Sequence, residues 1–273
     1  MSESVFAERV CLVTGAASGI GAALCRRLAA AGARIVAADI DLAGAERLVE
    51  EIASGGQGRA VRLDVRDREA FIALARDLAT REGRIDHLFN NAGILVLGNV
   101  LRMEPGHWDS IVDVNIRGVH HGIEAVYPLM VEQGHGHILN TASMAGLVPS
   151  PGFTAYTMTK HAVVGLSTAL RVEAARHGVG VSALCPGIID TNMAETAQLL
   201  GHTERLKEEM PEAERGLHSP DYCARKALAG VRRNRAIIPV TPMAHVGWRL
   251  YRLWPGLMAP VLRVMATRLA PMD

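Results

Sequence analysis

Eight residues near the start of the chain, TGAASGIG at 14–21, decide the fold. An apolar run, Val10–Val13, leads directly into them, and a helical pattern follows over about residues 19–31. Glycine serves three needs in such a loop: a tight turn, a close approach of the backbone to a pyrophosphate, and close packing of the helix on the strand. The free N–H groups at the start of the helix would face the phosphates. The stretch therefore predicts a strand, a phosphate-binding loop and a helix, in that order.

The same alternation of short apolar runs and helical patterns continues along most of the 273 residues. Helical spacing recurs, for example, at Ala43–Ala53 and Glu69–Arg81. The further apolar runs are Arg34–Ala38, Ala60–Leu63, His87–Phe89, His137–Leu139, Gly180–Leu184 and Ala236–Val240. Continuous apolar strands separated by helices are typical of right-handed βαβ units. We therefore predict an α/β fold with a doubly wound parallel sheet, in a single domain over residues 1–240.

Composition excludes several other classes of protein. The formal net charge is +1, which argues against a nucleic-acid partner. The start of the chain does not resemble a signal peptide and no apolar run is long enough to span a membrane, so a cytoplasmic location is expected. The 4 cysteines lack the spacing of a zinc or redox pair, and we expect them to be core residues. Neither His120-His121 nor His135 with His137 has the spacing of a typical zinc site, so no metal is predicted.

Asp39 ends the second predicted strand, about 20 residues beyond the glycine loop. A carboxylate there can accept hydrogen bonds from both ribose hydroxyls of NAD and would repel the 2′-phosphate of NADP. The alternative is that Asp39 caps the following helix. No Arg or Lys lies in the glycine loop or just after Asp39 to bind a 2′-phosphate, so NAD is predicted over NADP.

Four polar residues form a second pattern: Asn115, Ser143, Tyr156 and Lys160. Tyr156 and Lys160 stand four apart in a helical stretch, so their side chains share one face. A free tyrosine has a pKa near 10, and a neighbouring ammonium favours the phenolate, which would make Tyr156 an acid or base near neutral pH. Ser143 follows a strand and can hold a substrate oxygen near Tyr156. Taken alone, a Tyr and a Lys at this spacing are more often a solvated helix face.

Together these motifs resemble the short-chain dehydrogenase/reductase family, in its compact single-domain branch with a Rossmann fold. The resemblance covers about residues 5–240, in the family's order and spacing. The matching motifs are TGAASGIG at 14–21, Asp64-Val65, NNAG at 90–93, Asn115, Ser143, YTMTK at 156–160 and PGIIDT at 186–191. The resemblance implies an NAD(P)-dependent oxidoreductase that moves a hydride between a nicotinamide ring and an alcohol or carbonyl carbon.

The resemblance also implies roles for individual residues. Tyr156 would donate or accept the proton, and Ser143 would polarise the substrate oxygen. Lys160 would lower the pKa of Tyr156 and bind the nicotinamide ribose, while Asn115 would hold a water that links Lys160 to solvent. The other implied cofactor contacts are Gly15, Ser18, Gly19, Ile20 and Gly21 in the loop, Asp39 at the ribose, Asp64 and Val65 at the adenine, Asn91, Ala92, Gly93, Pro186 and Gly187 along the cleft, and Ile189 and Thr191 at the carboxamide.

The segment from about 191 to 216 takes the place of the family's substrate lid. Its apolar residues Met193, Leu199, Leu200 and Met210 would suit an apolar substrate, although amphipathic helices that merely pack have the same pattern. We therefore expect a lipophilic alcohol or ketone as substrate.

Residues 241–273 form a predicted helical extension with an unusual charge balance. Nine of the 29 Arg and Lys residues follow Asp221, whereas Asp273 is the one acidic residue among 28 that does. The apolar stripes of the extension contain Met243, Val246, Leu250, Leu253 and Trp254, and then Leu257, Met258, Val261, Leu262, Met265 and Leu269. These helices either pack on the sheet domain, cover the cleft or join subunits, or they lie at a membrane surface with arginines toward anionic headgroups.

Two other interpretations are left open by the motifs. The chain could be an NAD(H)-binding sensor or scaffold with vestigial catalysis, but a pure binder has no need of a proton relay. The larger epimerase-type branch is disfavoured by the glycine spacing and by the lack of a sizeable C-terminal substrate domain. The resemblance further implies a homodimer or homotetramer formed through the long helices that include residues 107–131 and 153–177.

Overall fold

In a computed structural model of the chain, the described residues are 3–53, 57–194, 196–200 and 218–269. The strands of this part are β1 (Val10–Thr14), β2 (Arg34–Asp39), β3 (Gln57–Arg62), β4 (His87–Asn90), β5 (Val96–Leu97), β6 (Gly136–Thr141), β7 (Val179–Cys185), β8 (Gln198–Leu199) and β9 (Ile237–Pro239). Seven of them form one parallel sheet in the order β3-β2-β1-β4-β6-β7-β9. All seven apolar runs of the sequence are strands of this sheet, so the predicted parallel sheet is confirmed.

Helices cover both faces of the sheet. Their bounds are α1 (Gly19–Ala30), α2 (Leu42–Ile52), α3 (Arg68–Glu82), α4 (Pro105–Val112), α5 (Gly118–Gln133), α6 (Thr154–Ala174), α7 (Pro220–Arg232), α8 (Pro242–Leu253) and α9 (Pro255–Leu269). On β1, Cys11 and Val13 contribute to the core beneath α1 and α7, while Leu12 contributes to the core beneath α3, α5 and α6. Because both faces are buried, most residues of the central strands are apolar. The doubly wound arrangement is confirmed.

The edge strand β3 begins at Gln57, three residues before the apolar run that predicts it. Its first two residues are exposed, and the rest are at most half-buried. Among the described strands, β3 pairs only with β2, so polar residues are tolerated at this edge and the hydrophobic pattern marks only part of the strand.

A second, two-stranded sheet was not predicted. β5 pairs in parallel with β8, which ties the segment after β4 to the segment after β7. The amide of Gln198 donates to the Leu95 carbonyl at 3.0 Å, and the amide of Leu200 donates to the Leu97 carbonyl at 2.8 Å. We call residues 94–103 and 196–200, joined in this way, the clipped loops. Residues 201–216 of the predicted lid, including Met210, lie outside the described residues.

The C-terminal residues form helices α8 and α9, as the extension predicts. Ala244 of α8 is fully buried, and Trp248 and Tyr251 pack against the core on the α6 side of the sheet. This part of the extension therefore packs on the sheet domain. The side chains of Met265 and Leu269 lie outside the described part. None of the described helices combines the length and the apolar character that crossing a membrane requires.

Candidate active site

The glycine loop joins β1 to α1 and has the geometry expected of it. Gly15 and Gly19 have φ of +63° and +53°, a region that favours glycine. A Cβ on Gly21 would lie 1.9 Å from the Gly15 carbonyl oxygen, so only glycine allows the helix to start this close to the strand. Ser18 begins α1 without a capping hydrogen bond from its side chain. The first N–H groups of the helix are therefore open to a phosphate.

Asp39 lies beside this loop at the end of β2. One carboxylate oxygen accepts from the Ala17 amide at 2.8 Å, and the other accepts from the Asp41 amide at 2.9 Å. The helix cap is Asp41, whose side chain accepts from the Gly44 amide at 3.0 Å, so the alternative that Asp39 caps α2 is wrong. Each oxygen of a carboxylate has a second lone pair, so Asp39 can still accept from ribose hydroxyls.

A basic residue that sequence reasoning missed also faces the cleft. Arg66 lines it together with Asp64 and Val65. The Arg66 guanidinium donates to both Asp64 carboxylate oxygens, from Nε to Oδ1 at 2.9 Å and from Nη2 to Oδ2 at 2.5 Å, and this pairing holds the pKa of Asp64 below its usual range. The positive charge of Arg66 is therefore compensated by the Asp64 carboxylate, two residues earlier in the chain. No local motif marks it, because the pairing depends on the turn after β3.

The NNAG turn after β4 is fixed by Thr14, another residue without a predicted role. Its Oγ1 accepts from the amides of Asn91 and Ala92 at 3.0 and 3.1 Å. The Asn91 side-chain amide donates to the carbonyls of Thr14 and Gly15, both at 3.2 Å. The two loops at the ends of β1 and β4 therefore form one rigid unit.

Asn115 is fully buried in a π-helical turn, Asp113–Arg117, which joins α4 to α5. Its side chain accepts from the Ile94 amide at 2.9 Å and donates to the Ile94 carbonyl at 3.0 Å. It also donates to Thr159 Oγ1 at 3.2 Å. The Asn115 side chain is therefore engaged with the protein, and single π turns of this kind are frequent at functional sites.

Tyr156 and Ser143 meet at the end of β6. Tyr156 lies in the first turn of α6 and is 9% exposed, and Ser143 begins a short 3₁₀ turn just after the strand. Burial raises the pKa of Tyr156 to about 12, and a hydrogen bond with the Ser143 side chain lowers it by a smaller amount. The expected fall in the tyrosine pKa is therefore outweighed by burial in this structure.

Lys160 lies one turn further along α6 and is 2% exposed. Its Nζ stands 5.4 Å from the centroid of the Tyr156 ring and donates to the Thr141 carbonyl at 2.9 Å. The ammonium thus approaches the ring face and is tied to β6, which explains why it does not dominate the tyrosine pKa. Burial lowers the pKa of Lys160 itself to about 8.

The PGIIDT segment after β7, residues 186–191, lies at the same edge of the sheet and forms another wall beside the glycine loop. A Cβ on Gly187 would lie 2.3 Å from Thr241 Oγ1, so glycine is required where this wall meets the start of α8. The Thr191 side chain faces Gly19, where an added Cβ would lie 3.2 Å from its methyl group. The PGIIDT segment and the glycine loop therefore lie within contact distance of each other.

A single cleft of about 540 Å³ joins these groups, and ligand sites typically have volumes of this order. Every predicted site residue lines it except Gly21, which packs the helix on the strand, and Asn115, which lies behind Ile94. The glycine cradle, the open helix start and the carboxylate of Asp39 fit the phosphates and ribose of a nicotinamide dinucleotide. Among the described residues, no group of three His, Cys, Asp or Glu side chains could hold a metal ion.

Comparison with known proteins agrees with this fit. The family model for short chain dehydrogenases matches residues 9–199. SadH of Mycobacterium tuberculosis, named as an oxidoreductase, is 37% identical over 241 residues, which are 87% of each chain. Oxidoreductase UcpA of Salmonella typhimurium is 42% identical over 192 residues, 69% of this chain and 72% of that protein.

A solved structure extends the similarity over nearly the whole chain. It is a short chain dehydrogenase/reductase of Burkholderia phymatum in complex with NAD, with 31% identity and a TM-score of 0.86. The match covers 94% of this chain and 97% of that one. This chain therefore belongs to the short-chain dehydrogenase/reductase family and is an NAD(P)-dependent oxidoreductase.

Proposed function

We propose that the chain interconverts an alcohol and a carbonyl with Tyr156 as the proton donor and acceptor, and Ser143, Lys160 and Asn115 in support. The observation that carries this proposal is the contact between the Tyr156 and Ser143 side chains at the cleft, with the Lys160 ammonium over the tyrosine ring. A nicotinamide bound in the cleft supplies or accepts the hydride.

The residues divide the proton chemistry among them. With a pKa of about 12, Tyr156 keeps its proton at neutral pH and can give it to a carbonyl oxygen as that oxygen gains negative charge. Ser143 donates a hydrogen bond to the same oxygen and so fixes its position. Lys160, with a pKa of about 8, is largely charged at neutral pH and stabilises the phenolate that remains. Asn115 acts as a positioning residue, because it fixes the Ile94 backbone at the cleft wall.

NAD is the proposed cofactor in preference to NADP. Asp39 places a negative charge beside the loop, where the adenosine ribose of a dinucleotide would lie. Arg66, the nearby cation at this end of the cleft, is already paired with Asp64. A 2′-phosphate would therefore meet an uncompensated carboxylate.

The Asp39→Asn variant should lose this preference. The amide oxygen can still accept from the Ala17 amide, but the negative charge is gone. We expect the ratio of kcat/KM for NAD to that for NADP to fall at least about tenfold, because juxtaposed like charges cost several kcal/mol. The matched control is Asp41→Asn, which removes an equal charge two residues away and keeps an acceptor for the Gly44 amide. An unchanged ratio in Asp39→Asn would show that Asp39 does not select the cofactor.

A lipophilic alcohol or ketone is the proposed substrate. Tyr156 belongs to an apolar cluster that includes Val96 and Ile111, with Trp108 and Phe153 packed around it. Leu200, from the clipped loops, packs against the same cluster. The reacting group would thus meet hydroxyls on one side and a mainly apolar wall on the other, which favours a substrate with one polar group on an apolar body.

The first test is NADH fluorescence measured with the enzyme against a panel of lipophilic and polar alcohols and ketones. We expect turnover of one apolar group of compounds, with the rate lost in Tyr156→Phe. Turnover confined to small polar polyols or sugars would refute the lipophilic substrate. NADH binding without turnover of any compound would favour a sensor or scaffold role.

We also propose a homodimer or homotetramer formed through helices α5 and α6. The outer side of α6 carries two exposed apolar residues, Met158 and Val172. A contact between subunits along this side of α6 would remove both side chains from water.

A further inference from the structure

Helix α8 has apolar residues on two opposite sides. Ala244, Trp248 and Tyr251 face the core. Met243, Val246 and Leu253 are exposed by 44%, 56% and 63%. At 3.6 residues per turn these three fall within about 80° of each other, on the side away from the core. The side facing outward is therefore an apolar stripe that the sheet domain leaves uncovered.

The stripe continues past Trp254, itself exposed, into α9. Leu257, Val261 and Val264 are also exposed, and their spacing of four and three places them on one side of that helix. Seven of the 13 exposed large apolar side chains that the structure describes lie between residues 243 and 264. Scattered apolar residues on a surface need no explanation, but such a concentration marks an interaction site. We call these seven residues the C-terminal apolar surface.

The charged residues of α8 and α9 all have one sign. Arg249 and Arg252 are exposed on α8, and Arg263 is exposed on α9. No Asp or Glu occurs between residues 222 and 272. Arg249 lies about 80° from the middle of the apolar stripe of α8, along its flank. Arg252 lies about 140° from it, with its guanidinium 5.8 Å from the Trp248 ring, and Arg263 lies about 130° from the apolar side of α9. Both helices are therefore amphipathic, with arginines on the flank and on the polar side.

We propose that the C-terminal apolar surface binds the face of an anionic lipid bilayer. The apolar residues would enter the boundary between headgroups and acyl chains, and the arginines beside and behind them would contact anionic headgroups. A second copy of this chain is a poorer partner, because a two-fold contact would bring the same arginines against each other. Neither helix is long and apolar enough to span the membrane, so the contact lies in the plane of its surface.

The test uses the full chain, because removal of residues after Val240 would also take Trp248 and Tyr251 from the core. Co-sedimentation is measured with vesicles of phosphatidylcholine, with and without phosphatidylglycerol. We expect binding to the anionic vesicles that weakens with added salt. The double variant Leu257→Ser/Val261→Ser should bind at least about tenfold more weakly. Arg249→Gln should reduce binding about fivefold, as expected for one basic residue at an anionic surface.

The matched control is Val5→Ser, which removes an exposed valine near the start of the chain, outside the C-terminal apolar surface and outside the proposed subunit interface. It should bind anionic vesicles as the unmodified chain does, and NADH binding should be retained in all variants. The Trp254→Phe variant should lose most of the blue shift in emission that vesicles cause. Equal vesicle binding by Leu257→Ser/Val261→Ser and the unmodified chain would overturn the proposal. The proposal would also be overturned if the unmodified chain formed an oligomer that dissociates in this double variant and did not bind vesicles.

Discussion

Tyr156→Phe is expected to lower turnover by a factor of about 10² to 10⁴, the usual contribution of a positioned acid or base. The phenylalanine fills the same space in the cluster around Val96 and Ile111, so the wall beside the reacting group is preserved. What is lost is the hydroxyl that contacts Ser143 and would carry the proton. The measurement is the initial rate of NADH formation or consumption, with the best substrate from the panel.

NADH binding separates loss of chemistry from loss of structure. The dissociation constant, measured by NADH fluorescence, should change by less than about threefold in Tyr156→Phe, since the glycine loop and Asp39 are untouched. Tyr127→Phe is the matched control, because Tyr127 is a partly buried tyrosine of α5 that packs against the core away from the cleft. It should keep its full rate. If Tyr156→Phe kept more than a tenth of the rate, the tyrosine would not be the proton donor.

Acidification to pH 5 should destabilise the fold by about 4 kcal/mol relative to pH 7.5, through the buried His137 and the partly buried His87 at the other end of the sheet. Burial lowers the pKa of His137 to about 3 and that of His87 to about 4, from an ordinary 6.5. The unfolded chain therefore binds more protons than the folded one below pH 6.5, and stability falls as the pH decreases through that value. Asp86, whose pKa is held below its usual value against burial by Arg84 and the Val10 amide, titrates below this window.

The contacts of His137 show why it stays neutral. Its Nε2 lies 2.8 Å from Ser182 Oγ, and that hydroxyl donates its proton to the Arg235 carbonyl at 2.6 Å. The histidine must therefore donate from Nε2. The nearby His87 has a buried Nδ1 that has no partner among the described residues. A proton added to either ring would enter a desolvated site where no described residue contacts it as a counterion.

Urea unfolding at the two pH values measures the effect. His137→Gln keeps a donor for Ser182 and cannot titrate, so it should recover about 2 kcal/mol of the difference between the two pH values. The exposed His120→Gln, on α5, should leave the difference unchanged. If His137→Gln lost as much stability on acidification as the unmodified chain, titration of His137 could not be the cause.

The parts of the fold that the sequence predicts well are those with a periodic or motif signal. Buried central strands such as β1 and β7 are apolar at nearly every position, so they stand out from the helices around them. The cleft residues are equally visible, because parallel strands bring the loops at their carboxyl ends to one edge of the sheet. Asp39, Ser143 and Tyr156 meet there although the chain separates them widely.

What could not be predicted depends on tertiary contacts. The pairing of β5 with β8 involves two residues on each strand, too few for a period. Thr141 uses a backbone carbonyl to hold Lys160, and a carbonyl carries no information about residue type. The pKa of Tyr156 follows from how deeply the ring is buried, and the spacing to Lys160 says nothing of that. Such features arise only once the chain is folded.

The clipped loops have a practical consequence for anyone who would redesign this enzyme. Because the pairing of β5 with β8 fixes their backbones to each other, a substitution in one loop shifts the wall that the other forms. A Cβ on Gly98 would lie 2.6 Å from the Leu200 Cβ, so the two loops have no spare room where they cross. In a mutant library that varies only one loop, most variants will therefore no longer fit the unchanged loop. Both loops should be varied together, with Gly98 kept, because they form one wall.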